Sequence, residues 1–189
     1  LAQESDGVQL MKPFTKIDPL LERAVGRRVF GTKMRSVVEH ANAAGITAVL
    51  DQQFMYAGRI LDAGLVPIVE PEVDIEAPDK AEAEDMLKAG IVERLSAVPE
   101  GRQVMLKLSI PTVDGFYADL MAHPKVLRVV ALSGGYSRDE ADALLARNPG
   151  LIASFSRALT EGLRRDQTDA EFDEALDKAI GSIYEASLT

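Results

Sequence analysis

Short apolar segments alternate with longer amphipathic segments along most of the chain. The short segments are rich in β-branched and other apolar residues, a composition typical of strands. The predicted strands are Phe30–Val38, Val66–Val73, Gln103–Ile110, Leu127–Ser133 and Ile152–Ala158. The longer segments predict helices over Asp18–Val25, Ile46–Ala63, Asp79–Ala97, Gly115–Ala122, Ser137–Arg147 and Asp169–Ala186. Strands that alternate with helices indicate an α/β fold with parallel strands joined by right-handed crossovers.

This pattern is compatible with two architectures, an open doubly wound sheet and a (β/α)8 barrel. No G-x-G-x-x-G or P-loop motif follows any predicted strand, which weakens the nucleotide-binding version of the open sheet. A complete barrel has eight strands and roughly 250 residues. The chain has 189 residues and five predicted strands. The sequence therefore predicts either a smaller α/β sheet or an incomplete barrel.

Composition narrows the possible functions. Hydrophobic residues make up 47% of the chain, which is typical of a globular domain with a sizeable core. The net charge is −9 and no basic stripe is present, so we do not expect nucleic-acid binding. Cysteine is absent, and His40 and His123 lack metal-ligand spacing. No apolar run approaches the roughly 20 residues of a membrane span. We expect a cytoplasmic protein without a membrane segment or a metal site.

Charged residues inside apolar strands are the first candidates for chemistry. Glu70 and Glu72 are two residues apart, so they share one face of their strand. Pro71 between them cannot donate to a sheet ladder, which indicates that regular pairing ends there. Barrel enzymes keep their catalytic groups at this carboxyl end of the strands. The alternative is a solvated strand end.

Basic residues on the neighbouring strands extend this candidate site. Lys33 and Arg35 share a face, and Lys107 interrupts another apolar strand. A buried, unpaired ammonium is costly, so Lys107 must be either ion-paired or substantially neutral. Burial and nearby cations would favour the neutral amine, which is a nucleophile. The alternative is a structural ion pair with Glu70 or Glu72.

The last two predicted strands end in groups that suit a phosphate. Ser133 is followed by two glycines, which let backbone N–H groups approach an anion. Ser154 and Ser156 share a face in the strand prediction, and Arg157 follows with a guanidinium that can bind phosphate bidentately. Glycines in a turn are weak evidence on their own, but the last two strands of a barrel commonly form a phosphate site.

Five segments that contain these residues resemble, as a set and in order, class I fructose-1,6-bisphosphate aldolases. The segments are Phe30-Gly-Thr-Lys-Met-Arg35, Val66-Pro-Ile-Val-Glu-Pro-Glu72, Met105-Leu-Lys107, Leu132-Ser-Gly-Gly135 and Ser154-Phe-Ser-Arg-Ala158. The short final segment Ser182-Ile-Tyr-Glu-Ala-Ser187 looks like that of the compact bacterial subtype. The resemblance implies a (β/α)8 TIM barrel, of which this chain would hold strands four to eight with their helices. Residues 1–189 would then be the C-terminal portion of one barrel domain.

The resemblance also implies a role for each candidate residue. Lys107 would form the Schiff base with the sugar ketone, and Glu70 would act as the general acid and base. Glu72 and Lys33 would orient and tune these two groups. One substrate phosphate would be bound by Ser133, Gly134, Ser156 and Arg157, with Arg35 as a candidate for the other phosphate. The implied partner is a phosphorylated sugar, without metal or other cofactor, and relatives often form homo-oligomers.

Two departures from the family pattern qualify these expectations. The family's catalytic aspartate on the first strand and lysine on the third strand would both precede Leu1. The strand-eight motif reads Ser-Phe-Ser-Arg where animal members have Ser-Tyr-Gly-Arg. We therefore expect an incomplete portion of a longer enzyme that is weakly active at best in isolation. The remaining alternatives are a Schiff-base aldolase or transaldolase for another sugar phosphate, and an inactive truncated barrel that binds phosphate.

Overall fold

A six-stranded sheet runs through the chain, for which a computed structural model describes residues 1–189. Its strands are β1 (Val8–Gln9), β2 (Gly31–Val38), β3 (Val66–Val73), β4 (Val104–Ser109), β5 (Val126–Leu132) and β6 (Ile152–Ala153). They lie side by side in sequence order. β1 is antiparallel to β2, and every other neighbouring pair is parallel. β1 and β6 are the two edges of the sheet.

Seven helices accompany the sheet. They are α1 (Ile17–Gly26), α2 (Ala43–Asp62), α3 (Lys80–Leu95), α4 (Ala118–Met121), α5 (Arg138–Leu145), α6 (Arg157–Thr160) and α7 (Asp169–Ala186). α5 and α7 begin at capping boxes, in which Ser137 and Thr168 bond reciprocally with the glutamates three residues later. The predicted α/β fold with a parallel sheet is confirmed.

The order of the strands bears on the two architectures considered from sequence. A doubly wound sheet contains a point at which the strand order reverses, and helices then cover both faces. Here the order never reverses from β1 to β6. With right-handed crossovers, such a progression places the helices on one face of the sheet. α2 follows this arrangement, since it packs against β2, β3 and α3. The face of the sheet opposite α2 is the face that such a progression does not cover with helices.

Apolar residues on the helix side form one continuous core. Leu50, Phe54, Ala57 and Leu61 recur at helical spacing in α2; Leu50, Ala57 and Leu61 are buried, and Phe54 is partly buried against the same core. From the sheet, Val69 and Leu106 enter the same cluster and are fully buried. No helix of the structure combines the length and the apolarity that a membrane crossing requires.

The strand prediction for Ile152–Ala158 is wrong beyond Ala153. β6 ends there, Ser154 makes one more backbone hydrogen bond to Ala131, and Arg157 begins α6. The physical reason is the loss of a pairing partner, because β5 ends at Leu132 and then turns away. The face-sharing argument for Ser154 and Ser156 therefore does not apply. The sequence also gave no sign of the two-residue strand β1.

A buried ion pair fixes the start of α3 to the loop that follows β4. Lys80 Nζ donates to Glu84 Oε1 (2.5 Å), to the carbonyl of Ile110 (2.9 Å) and to Thr112 Oγ1 (3.0 Å). The other oxygen of Glu84 accepts from the backbone N–H of Thr112 at 2.9 Å. Burial, and secondarily the charge of Glu84, raises the pKa of the Tyr117 phenol well above its usual value. Tyr117 is therefore neutral beside this pair.

Lys80→Met is expected to lower the free energy of unfolding by about 3 kcal/mol, because it leaves the Glu84 carboxylate buried without its cation. Thr112 N–H would still donate to that carboxylate, which keeps the loss at the lower end of the range for broken buried pairs. Chemical denaturation of the variant measures the change. The control is Lys125→Met, whose ammonium is not ion-paired. A loss no larger than that of the control would contradict a stabilising role for the pair.

Candidate functional site

A polar cleft of about 380 Å³ lies at the carboxyl ends of the parallel strands. It is lined by Lys33, Arg35, Glu70, Glu72, Lys107, Leu132, Ser133, Gly134, Ser154, Ser156 and Arg157. All nine residues predicted from the sequence are in this set, so the structure brings every one of them together. The other two lining residues are Leu132 and Ser154. Leu132 is the single hydrophobic residue of the lining.

Strand alternation explains why so many charges meet on one face. β2 and β3 pair in parallel with Arg35 opposite Glu70, so charged positions two residues apart on each strand line up. Lys107 comes from the adjacent strand β4. Met34, between Lys33 and Arg35, and Val69, just before Glu70, are buried among the core residues. The same alternation therefore builds the core and the cleft.

Glu70 stands at the centre of the charged cluster, between two ammonium groups. Lys107 Nζ lies 3.3 Å from Glu70 Oε1, and Lys33 Nζ donates to Glu70 Oε2. Lys107 also donates to the carbonyl of Ser154 at 3.1 Å. Lys107 and Glu70 are buried, at 8% and 3% exposure, whereas the side chain of Lys33 is 46% exposed. The ion pair considered as an alternative for Lys107 is therefore present.

The contact between Lys107 and Glu70 also has a geometry that suits proton exchange between the two groups. The distance of 3.3 Å lies just outside the usual hydrogen-bond range, and such contacts tighten when substrate binds. A carboxylate at this distance can take a proton from an ammonium and leave a neutral amine. Lys33 occupies the other oxygen of Glu70, so Oε1 is the oxygen placed to exchange a proton with Lys107.

Glu72 is held by Arg35 on the adjacent strand. Arg35 Nε donates to Glu72 Oε2 at 2.5 Å, and Glu72 is buried. The hydrogen bond to Glu72 raises the pKa of Arg35; burial opposes this rise, and the charges of Glu72 and Glu70 reinforce it. Arg35 is therefore a permanent cation in the lining of the cleft. Its half-exposed side chain remains accessible to an anion.

The turn after β5 also lines the cleft. Gly134 has φ +66° and Gly135 has φ +145°, backbone conformations that L side chains rarely adopt. A Cβ on Gly134 would lie 2.5 Å from Ile75 Cγ2. Arg157 Nη2 donates to the carbonyl of Gly134 at 2.9 Å, and Ser133 is buried beside the turn. A hydroxyl, the backbone of Gly134 and a guanidinium therefore meet at one place, whereas the N–H of Gly135 donates to the carbonyl of Ser133 at 2.7 Å within the turn.

Gly134→Ala is expected to raise the KM for a phosphorylated substrate about tenfold and to change kcat less. The added methyl group would collide with Ile75 and strain a left-handed backbone, which would displace the turn. Steady-state kinetics on the complete protein provide the measurement. Gly101→Ala is the control, since Gly101 also has positive φ but nothing lies within reach of its Cβ. An unchanged KM in Gly134→Ala would argue against a phosphate at this turn.

Two features of the site were not found from the sequence. The carbonyl of Ser154 orients Lys107, but a backbone acceptor leaves no sign in residue identity. Gln53 of α2 is fully buried and accepts a hydrogen bond from the backbone of Glu70. A polar residue within an apolar helical stripe was the one available signal for Gln53. No three His, Cys, Asp or Glu side chains converge in a way that could hold a metal ion.

Curated bacterial proteins match the chain over its whole length. The class 1 fructose-bisphosphate aldolase of Synechocystis sp. is 58% identical over 189 residues, and that of Clostridium acetobutylicum is 57% identical over 189 residues. The protein of the same name from Porphyromonas gingivalis is 56% identical over 188 residues. The chain is a homologue of class 1 fructose-bisphosphate aldolases. The family resemblance of the five sequence motifs is thereby confirmed.

The homology does not extend over the whole of these aldolases. The chain spans 63% of the Synechocystis aldolase and 64% of each of the other two. No protein-family model matches the chain. Among solved structures, the fructose-bisphosphate aldolase of Plasmodium falciparum, crystallised with TRAP and a small-molecule inhibitor, matches with a TM-score of 0.68 and 20% identity. That match covers 96% of this chain and 66% of the aldolase, and it establishes similarity of fold.

Proposed function

We propose that the chain contains the Schiff-base site of a fructose-bisphosphate aldolase, which cleaves fructose 1,6-bisphosphate reversibly into dihydroxyacetone phosphate and glyceraldehyde 3-phosphate. The observation that carries the proposal is the contact of 3.3 Å between the buried Lys107 and Glu70, in a cleft with phosphate-binding groups. The class 1 name of the homologues supports it, since that class uses a lysine imine and no metal.

Imine formation needs a neutral amine and a proton donor. Glu70 accepts a proton from Lys107, and the free amine attacks the ketone carbon of the sugar. The resulting carbinolamine loses its hydroxyl as water, with Glu70 returning the proton to the leaving oxygen. The product is a protonated imine on Lys107. The carbonyl of Ser154 holds the nitrogen in place during these steps.

Carbon–carbon cleavage then uses the imine as an electron acceptor. A base removes the proton of the C4 hydroxyl, the C3–C4 bond breaks, and its electron pair moves into the imine to give an enamine. Glyceraldehyde 3-phosphate leaves. The enamine takes up a proton at C3, and water hydrolyses the imine to release dihydroxyacetone phosphate and the free amine. We assign the proton transfers next to the imine to Glu70, because its carboxylate is the nearest to Lys107.

The remaining residues of the cleft bind the substrate phosphates or orient the reacting pair Lys107 and Glu70. Glu72 and Lys33 tune and orient the reacting pair, since each is ion-paired within the cluster. One phosphate is bound by Ser133, Gly134, Ser156 and Arg157. We assign Arg35 to the second phosphate, because its guanidinium is half-exposed and β2, which carries it, is separated from β5 and β6 by β3 and β4 in the sheet. Two anchored phosphates hold the scissile bond in line with Lys107.

We further propose that β2 to β6 are strands four to eight of a (β/α)8 barrel, and that residues 1–189 are the C-terminal portion of that one domain. The unreversed strand order and the partial coverage of the relatives support this. An isolated portion of this kind would be weakly active at best, since it leaves edges β1 and β6 open. A homo-oligomeric state and a cytoplasmic location remain predictions.

Steady-state cleavage assays on the complete protein test the substrate assignment. Fructose 1,6-bisphosphate should be cleaved with a higher kcat/KM than fructose 1-phosphate, because the second phosphate adds binding energy. Cleavage should be unchanged by EDTA. Preference for the monophosphate would favour a different sugar-phosphate aldolase or transaldolase, and loss of activity with EDTA would indicate a metal-dependent enzyme.

A further inference from the structure

We propose that Gln53 is a positioning residue that sets the location of the Glu70 carboxylate between Lys33 and Lys107. The inference rests on the proposed function, in which Glu70 transfers protons. Gln53 lies on α2, on the helix side of the sheet, and none of its surface is exposed. It therefore does not touch the cleft and would act through the backbone of β3.

Both ends of the Gln53 amide are bound, and each end is bound to a different strand. Its Oε1 accepts from the backbone N–H of Glu70 at 2.8 Å. Its Nε2 donates to the hydroxyl of Ser36 on β2, which is also fully buried. Because the N–H of Glu70 can only donate, the amide orientation is determined by that contact. Gln53 therefore joins β2 and β3 at the level of the cluster.

The place of this bridge in the sheet gives it a role beyond packing. Pro71 follows Glu70 and has no N–H, and the recorded pairing of β3 with β4 ends at Val69 opposite Leu106. The backbone at Glu70 therefore has limited support from the β4 side. Gln53 supplies a hydrogen bond at this point from a third element, the long helix α2.

The proposed chemistry requires the Glu70 carboxylate to be placed accurately. Its carboxylate must reach Lys33 with one oxygen and Lys107 with the other, and its distance to Lys107 is 3.3 Å. A misplacement of about 1 Å can lower a rate by about a hundredfold. A shift confined to the backbone at Glu70 would move this carboxylate and would leave in place the phosphate-binding residues Ser133 and Arg157, which follow β5 and β6, and the Arg35–Glu72 pair. The expected defect is therefore in kcat and not in KM.

Gln53→Met tests the inference, because methionine has a similar length and cannot bond to Glu70 or Ser36. We expect kcat for fructose 1,6-bisphosphate to fall about tenfold in the complete protein, with KM changed less than about twofold. The matched control is Ile60→Val, which trims a buried side chain of the same helix away from Glu70. The control should lower thermal stability and leave kcat unchanged.

A double-mutant cycle with Glu70→Gln separates positioning from general structural damage. If Gln53 acts through the Glu70 carboxylate, Gln53→Met should lower the residual rate of Glu70→Gln by less than about twofold. The same tenfold fall in both backgrounds would overturn the inference, and so would a rise of KM at constant kcat. Full activity of Glu70→Gln would overturn both this inference and the assigned role of Glu70.

Ser36→Ala provides a second, milder variant in case Gln53→Met does not fold. It removes the far partner of the Gln53 amide and leaves the bond to Glu70 available. We expect kcat to fall about two- to fivefold, again with KM unchanged and with no further effect in the Glu70→Gln background. Wild-type kcat in Ser36→Ala would refute the positioning role, and so would wild-type kcat in a folded Gln53→Met.

Discussion

Lys107→Met is expected to abolish cleavage of fructose 1,6-bisphosphate, with kcat lower by about four orders of magnitude or more. Methionine fills much of the space of lysine but has no amine to attack the ketone, so the imine cannot form. The other groups of the cleft would remain and would bind the substrate. KM or a directly measured Kd for the bisphosphate should therefore change little.

The fold of Lys107→Met is expected to persist, with a free energy of unfolding within about 1 kcal/mol of the original. Glu70 keeps Lys33 as an ionic partner, so removal of Lys107 does not leave it unpaired. Lys107→Arg is the companion variant, because arginine keeps the charge beside Glu70 and cannot serve as the amine nucleophile. Turnover at the original rate in either variant would contradict the role of Lys107.

Glu70→Gln is expected to lower kcat about a thousandfold, because it removes the proton-transfer group nearest Lys107. Glutamine has nearly the same shape and should preserve the form of the cleft, but its one oxygen can accept from only one of the two lysines, because the other side of the amide is a donor. Substrate binding depends on the phosphate-binding residues elsewhere in the cleft, so the KM should change by less than about threefold. Steady-state kinetics and a substrate-binding titration separate the two effects.

The control for this variant is Glu76→Gln, the same chemical change at an exposed position just after β3. It should leave both kcat and KM unchanged. A loss of activity in Glu70→Gln that was no larger than in this control would assign the proton transfers to another group. Glu72 would then be the next candidate, since it is the other buried carboxylate of the cleft.

The sequence predicted the cleft because charge at alternate positions of an apolar strand has few explanations. Lys33, Arg35, Glu70 and Glu72 were each two residues from a partner, so their common face followed from strand geometry alone. Lys107 stood out because burial of an isolated ammonium is costly. The motifs around them also indicated the family, which the homologues confirm.

What the sequence did not predict depends on contacts between distant segments. The end of β6 at Ala153 is determined by where β5 stops. The bond from Lys107 to Ser154 joins residues 47 positions apart, through a carbonyl that every residue carries. The bridge from Gln53 to Glu70 likewise requires the packing of α2 on β3. Local periodicity can mark Gln53 as a polar residue in an apolar stripe, but it does not show which distant groups these residues contact.

Reductive trapping on Lys107 is the most direct test of the proposed chemistry. The complete protein is incubated with dihydroxyacetone phosphate and borohydride, digested, and analysed by mass spectrometry. An imine reduced in place should give one stable adduct on Lys107, and Lys107→Met should give none. Continued cleavage of the sugar bisphosphate with Lys107 unmodified under these conditions would contradict the account.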